Sequence, residues 1–171
     1  LSARDVSGRN ALSWACEVGC LAAVKLMDLA PDECVNKGDH HTRRTPLMFA
    51  ARYGHAGVCR LLLAELSAEP ERKDKHGWTA LMYAARWGHA AVIRALILAT
   101  QNDIPMPNLD TNREVRRWIN MRDRWEGRSA LLFACSLGPV AEDAQVPEPD
   151  AARLDVVKAL LEFGAERAVR D

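Results

Sequence analysis

The chain has 171 residues, of which 49% are hydrophobic and 27% charged, the make-up of one ordinary domain or a short stack of repeats. Lys+Arg and Asp+Glu both total 23, for a formal net charge of zero. No bulk charge therefore draws the chain to nucleic acid or a membrane surface, and any electrostatic preference must be local. No apolar run reaches the roughly 18 residues of a membrane span.

The first block of interest is Asn10-Ala11-Leu12-Ser13-Trp14-Ala15-Cys16-Glu17-Val18-Gly19. It returns as Thr45-Pro46-Leu47-Met48-Phe49-Ala50-Ala51-Arg52-Tyr53-Gly54-His55 and again as Thr79-Ala80-Leu81-Met82-Tyr83-Ala84-Ala85-Arg86-Trp87-Gly88-His89. A fourth copy is Ser129-Ala130-Leu131-Leu132-Phe133-Ala134-Cys135-Ser136-Leu137-Gly138. Leu12 and Leu47 are 35 residues apart, Leu47 and Leu81 are 34 apart. A period in this range marks stacked supersecondary units, none of which can bury its own apolar faces.

The third copy shows the local logic. Asp74 opens a polar turn, Gly77 suits a positive φ, and Thr79 can cap the helix that follows. Leu81, Ala84 and Ala85 form one apolar stripe, Gly88 ends the helix, and Val92, Ile93, Leu96 and Ile97 make the stripe of a second helix. Between the third and fourth copies about 16 residues are inserted. There Thr111-Asn112-Arg113-Glu114 reads as a capping box before Val115, Trp118 and Ile119, which predicts a short amphipathic helix near 112–121. A second insertion, about 139–152, is rich in proline and acidic residues and is expected to be a mobile loop. The last helix carries Val156, Val157, Leu160 and Leu161. Ala165 to Asp171 repeats the six-residue spacing of Ala68 to Asp74. That spacing and the missing initiating Met lead to the expectation of a longer parent protein.

The five cysteines, Cys16, Cys20, Cys34, Cys59 and Cys135, are odd in number and form no Cys-x-x-Cys pair. Cys16 and Cys135 stand where other copies have Ala51 and Ala85, so they read as small buried side chains in a reducing compartment. Cys34, Asp39, His40 and His41 match no usual zinc spacing, and no metal site or cofactor is expected. No phosphate-binding Gly-rich loop, metal-ligand helix or nucleophile elbow is present.

These blocks resemble the ankyrin repeat. The matching residues are Asp5, Gly8, Leu12, Ala15, Gly19, Val24 and Leu26 in the first copy. The second matches at Thr45, Pro46, Leu47, Ala50, Ala51, Gly54, His55, Val58, Leu61 and Leu62. The third matches at Asp74, Gly77, Thr79, Leu81, Ala84, Ala85, Gly88, His89, Val92 and Leu96, the fourth at Gly127, Leu131, Ala134 and Gly138. The resemblance implies an all-α solenoid of helix–turn–helix units with short hairpin-like turns between them. Residues 1–171 would form one domain, with repeats at about 5–38, 39–73, 74–107 and 123–171 and insertions at about 101–122 and 139–152. The family histidine that bonds the capping threonine is replaced by Ser13, Met48, Met82 and Leu132, so the turns are expected to rest more on packing. The next slot is aromatic in every copy (Trp14, Phe49, Tyr83, Phe133) and is expected to form a stacked ladder inside the solenoid.

The resemblance also implies where a partner meets the domain: at the turn tips and the concave face. Transferred to this chain, those positions include Arg44, Arg52, Tyr53, Lys75, His76, Trp78, Arg86, Trp87, Trp125 and Arg128. With Arg9 they are rich in arginine and aromatics and hold only Glu17 and Glu126 as acids, a composition enriched at protein-binding hot spots. The expected function is a non-catalytic protein-interaction scaffold. Its partner would be a protein or peptide segment, acidic with an apolar anchor, on a groove centred on the second and third repeats. No small-molecule substrate or membrane is expected, and the location is the cytoplasm or nucleus. Three other readings stand beside it. The arginines can merely stack over and shield the rings. The domain can read methyl-lysine, since some histone-methyltransferase ankyrin domains are similar in placing Trp and acidic residues on one face; Trp78, Trp87 and Tyr53 would form part of the cage, although a basic groove opposes a cationic ligand. The Arg-rich face can bind nucleic acid, against which the zero net charge argues.

Overall fold

Side-chain oxygens of Asn10, Thr45 and Thr79 accept the backbone N–H three residues on, from Ser13 at 2.8 Å and from Met48 and Met82 at 3.4 Å. A helix start leaves such amides without partners, and helices begin at each of these places. The computed structural model describes residues 3–27, 32–102, 111–136 and 149–165. Its helices are α1 (Ala11–Val18), α2 (Leu21–Leu26), α3 (Asp32–Val35), α4 (Pro46–Arg52) and α5 (Ala56–Ala64). They continue with α6 (Ala80–Arg86), α7 (Ala90–Asn102), α8 (Thr111–Ile119), α9 (Ala130–Cys135) and α10 (Pro149–Glu162). Among the described residues the only β pairing is the isolated Arg4–Asn10 bridge. The fold is an all-α repeat stack.

The helices form two layers. In one, α1 packs on α4, α4 on α6 and α6 on α9; in the other, α2 packs on α5, α5 on α7 and α7 on α10. Leu12, Leu47, Leu81 and Leu131 occupy matching interior places and are all buried. Ala50, Ala51, Ala84 and Ala85 are buried between neighbouring helices of the first layer, where a larger side chain would hold the backbones apart. Gly54 serves the same closeness at a layer junction. Its φ is 83°, and a Cβ there would lie 2.8 Å from the His89 ring. That ring donates from Nε2 to the Arg52 carbonyl at 3.0 Å, as His55 does to the Glu17 carbonyl at 2.9 Å. Burial pulls the His89 pKa below its usual value, only partly opposed by that bond.

Aspartate hydrogen bonds close each turn, a contribution that the missing family histidine did not suggest. Asp5 Oδ1 accepts the amides of Ser7 and Arg9, and Asp74 Oδ1 those of His76 and Trp78. Asp123 Oδ1 accepts those of Glu126 and Arg128. The buried Asp39 accepts the amides of His41, Thr42 and Arg44 and the Thr42 hydroxyl. One backbone bond then joins each turn to the next: His40 N–H to Ser7 O, Lys75 N–H to Thr42 O and Arg124 N–H to His76 O.

The expected insertion helix is α8. It buries Val115, Trp118 and Ile119, and Trp118 Nε1 donates to the Pro70 carbonyl at 3.2 Å. The insert is thus built into the core and is not a solvated loop there. The side chains of Thr111 and Glu114, and so the expected capping box, lie outside the described residues. Most of the expected acidic loop, 137–148, also lies outside them. Residues 149–152, expected to be loop, are instead the start of α10. Proline at a first helical position lacks only an N–H that would have had no partner within the helix. Ala152 lies over Gly88, the place that His55 and His89 take over Gly19 and Gly54. Leu160 of α10 is fully buried. All five cysteines are free thiols; Cys16 and Cys59 are fully buried, but Cys135, expected to be buried like Cys16, is exposed near the end of α9. Burial pushes the Cys16 thiol far up and the Cys59 thiol to about 12.

Leu81→Ala should lower the unfolding free energy by about 2–5 kcal/mol, measured by urea denaturation. A second outcome concerns acid. Burial raises the Asp39 pKa, but the bonds from Thr42, Arg44 and His41 outweigh it and hold the pKa below the ordinary 3.8. A depressed folded pKa contributes stability that is present above the unfolded value and lost as pH falls through the folded one. The difference in melting temperature between the protein and Asp39→Asn should therefore shrink as pH drops from about 4 downward.

Candidate protein-binding groove

Each turn directs the residue after its positive-φ position toward the aromatic slots of the first-layer helices. Arg9 lies between two of these, with its guanidinium carbon 3.9 Å from the Trp14 ring centroid and 4.2 Å from that of Phe49. Arg44 lies 5.1 Å over Tyr83. Trp78 fits between Tyr83 and Phe133, with centroid distances of 5.1 Å and 4.4 Å. Arg128 closes the row at 6.0 Å from Phe133. The expected ladder of four aromatics is thus a row in which turn residues alternate with them. Phe49, Tyr83 and Phe133 are buried, but Trp14 is 49% exposed because no preceding helix lies on it among the described residues; its Nε1 donates to Asp5.

Beneath this row runs a polar chain. Tyr83 OH donates to Asp74 Oδ2 at 2.7 Å and accepts from Arg44 Nε at 2.6 Å. Burial, and then the Asp74 carboxylate, push the phenol pKa well above its usual range, so Tyr83 keeps its proton and the donor role is fixed. Asp74 is 1% exposed. A buried carboxylate needs such donors, because leaving it unpaired is costly.

Above the chain opens a depression of about 410 Å³ between the third and fourth helix pairs. Of the residues expected to meet a partner, Arg44, His76, Trp78, Trp87, Trp125 and Arg128 line it, joined by Tyr83, Phe133, Asp123 and Glu126. Trp125 stands at its mouth, 75% exposed, with its ring 6.2 Å from His76. Arg52, Tyr53, Lys75 and Arg86 do not line it. Arg52 lies between Tyr53 and Trp87, 5.4 Å and 5.1 Å from their centroids. Arg86 donates to Ser136 Oγ at 3.3 Å, and Lys75 is exposed at its turn tip. Tyr83 and Phe133 were legible only as an aromatic slot assigned to the interior, and Asp123 was not singled out.

The charge is more balanced than the residue types suggest. Arg128 pairs with Glu126, and Arg9 with Glu17. Inside the depression two arginines face two carboxylates; the basic excess lies on the flank, at Arg52, Lys75 and Arg86. The cage expected of Trp78, Trp87 and Tyr53 is not assembled, since the Arg52 guanidinium fills the space between Tyr53 and Trp87.

A family model described as ankyrin repeats (3 copies) matches residues 12–108. The chain belongs to the ankyrin-repeat family. Ankyrin-repeat domains commonly mediate protein–protein interactions and are generally non-catalytic scaffolds. Helices α9 and α10 fall outside the matched span and pack on α6 and α7 as those pack on α4 and α5; of the two, only α9, through Phe133, lines the depression. No curated protein sequence matches the chain. Among the described residues, no group of three His, Cys, Asp or Glu is placed to hold a metal, and no helix is long and apolar enough to cross a membrane.

Tyr83→Phe leaves Asp74 short of a donor and should cost about 1–3 kcal/mol in urea denaturation.

Proposed function

We propose that this chain is a non-catalytic protein-binding domain, with residues 1–171 as one stack of four repeats whose last two create the binding depression. The partner is a segment with an apolar anchor seated against Trp125, Trp78 and Phe133, and acidic residues that meet Arg52, Lys75 and Arg86 on the flank. The observation that carries this reading is Trp125, 75% exposed beside a depression floored by aromatic rings. Covering such a ring removes apolar area from water at about 25 cal/mol per Å², and Trp is among the residues that dominate interface energetics. Arginine can pair carboxylates through two parallel bonds, which sets orientation. The five free thiols suit the cytoplasm or the nucleus. Methyl-lysine reading is disfavoured because the guanidinium of Arg52 already occupies the cation position against Trp87.

Trp87 is a poor probe, since it is half-buried and packs on the core; Trp125 touches little and can be removed without cost to the fold. Selection from a displayed random-peptide library should enrich acidic sequences around an aromatic or aliphatic residue. Trp125→Ala should weaken the enriched peptides by about tenfold or more, a loss of at least ~1.4 kcal/mol, with an unchanged melting temperature. Unaltered affinity in Trp125→Ala, or preference for a trimethyl-lysine peptide, would reject the reading.

A further inference from the structure

The second turn breaks a backbone rule that the other turns keep. Gly8, Gly77 and Gly127 take φ of 76°, 83° and 63°, and the same place is held by Arg43 at φ 59°. An L side chain is strained in that region, and residues that persist there without need mark functional positions. Arg43 is exposed, and its guanidinium has no partner among the described residues. It lines a depression of about 320 Å³ with Lys37, His40, Arg72, Lys73 and Asp39. None of the residues that line this depression lines the aromatic one.

The lining has four fixed cations and one carboxylate, in a chain of zero net charge. That carboxylate, Asp39, is turned into its own loop and spent on the His41, Thr42 and Arg44 donors. Two cations are positioned from outside: Arg72 is held by Glu69 at 2.8 Å, and Lys73 Nζ donates to the Arg122 carbonyl at 3.2 Å. Lys37, like Arg43, is exposed and has no side-chain partner among the described residues. Gly38 makes the shape attainable, since a Cβ there would lie 2.3 Å from the Arg43 carbonyl oxygen. Lys37, Arg43 and Lys73 thus line one concavity at the expense of local backbone strain, with no carboxylate paired to them among the described residues, while Arg72 is neutralised by Glu69.

We propose that this depression binds a phosphoryl group carried by a protein partner. A phosphoryl dianion carries more charge than a carboxylate and offers three strong acceptor oxygens to several cationic donors. The donors line a single depression of about 320 Å³ and are not spread along a track, as a nucleic-acid backbone would require.

The test is a titration at constant ionic strength with inorganic phosphate, capped phosphoserine and capped serine, read by backbone amide NMR shifts. Phosphate and phosphoserine should shift residues 37–43 and 73 saturably, and serine should not. Arg43→Gly should weaken both phosphate ligands about tenfold while raising the melting temperature by roughly 2–4 °C, because the strain is relieved. Lys37→Ala should weaken them without that rise. Undiminished affinity in both variants, or shifts scattered over surface lysines, would overturn the site. Binding of inorganic phosphate alone would overturn a partner-borne source, and tighter binding of a single-stranded oligonucleotide would overturn the protein class.

Discussion

A carboxylate that accepts the amides of its own turn is the contact on which the rest of this protein depends. Asp5, Asp39, Asp74 and Asp123 each fold back onto backbone N–H groups two to five residues on. Free amides and a buried anion would both be costly, and each disposes of the other. The closed turn sets where the next helix begins, and it aims the following residue into the row of rings. The backbone bond between successive turns then carries the register from one unit to the next. Apolar burial supplies most of the driving force, but the carboxylates decide which residues face the groove.

The period and the buried stripes were legible because they follow from side-chain type alone. Leu12, Leu47, Leu81 and Leu131 recur at fixed spacing and are all buried; Val92, Ile93, Leu96 and Ile97 fall on one helix face and are buried too. The helix of the first insertion was readable for the same reason, although its tie to Pro70 was not, since nothing local in Trp118 names a carbonyl 48 residues away. The turn chemistry escaped because an aspartate at the head of a turn looks alike whether it makes one bond or four. Arg43 escaped for a simpler reason. Asp39 and Thr45 are six residues apart where Asp74 and Thr79 are five apart, and the extra residue hides which one inherits the glycine position. Counting back from the helix cap finds it.

The groove shows how residue type alone misleads on charge. Six basic and two acidic side chains among the transferred positions suggested a strongly basic face. In three dimensions Arg9 and Arg128 are paired, Arg44 serves Tyr83, and Arg52 lies over Trp87. Arginine in this fold is partly a spacer, flat enough to lie between rings and charged enough to avoid collapsing into the core. What is left for a partner is an aromatic floor with an exposed indole at its edge and cations to one side. The fourth unit, despite its interrupted sequence, lends Phe133 and its leading turn to that floor.

The placement of the thiols has a practical consequence. Cys16 and Cys59 sit fully enclosed in adjacent units, while Cys20 and Cys135 lie at the surface. With their proton affinities raised, the enclosed pair is inert while the first junction stays shut, because alkylation requires the thiolate. The surface pair reacts at once and the enclosed pair only when the first two units part, so the chain carries an internal gauge of its own fraying and needs no added label to read it.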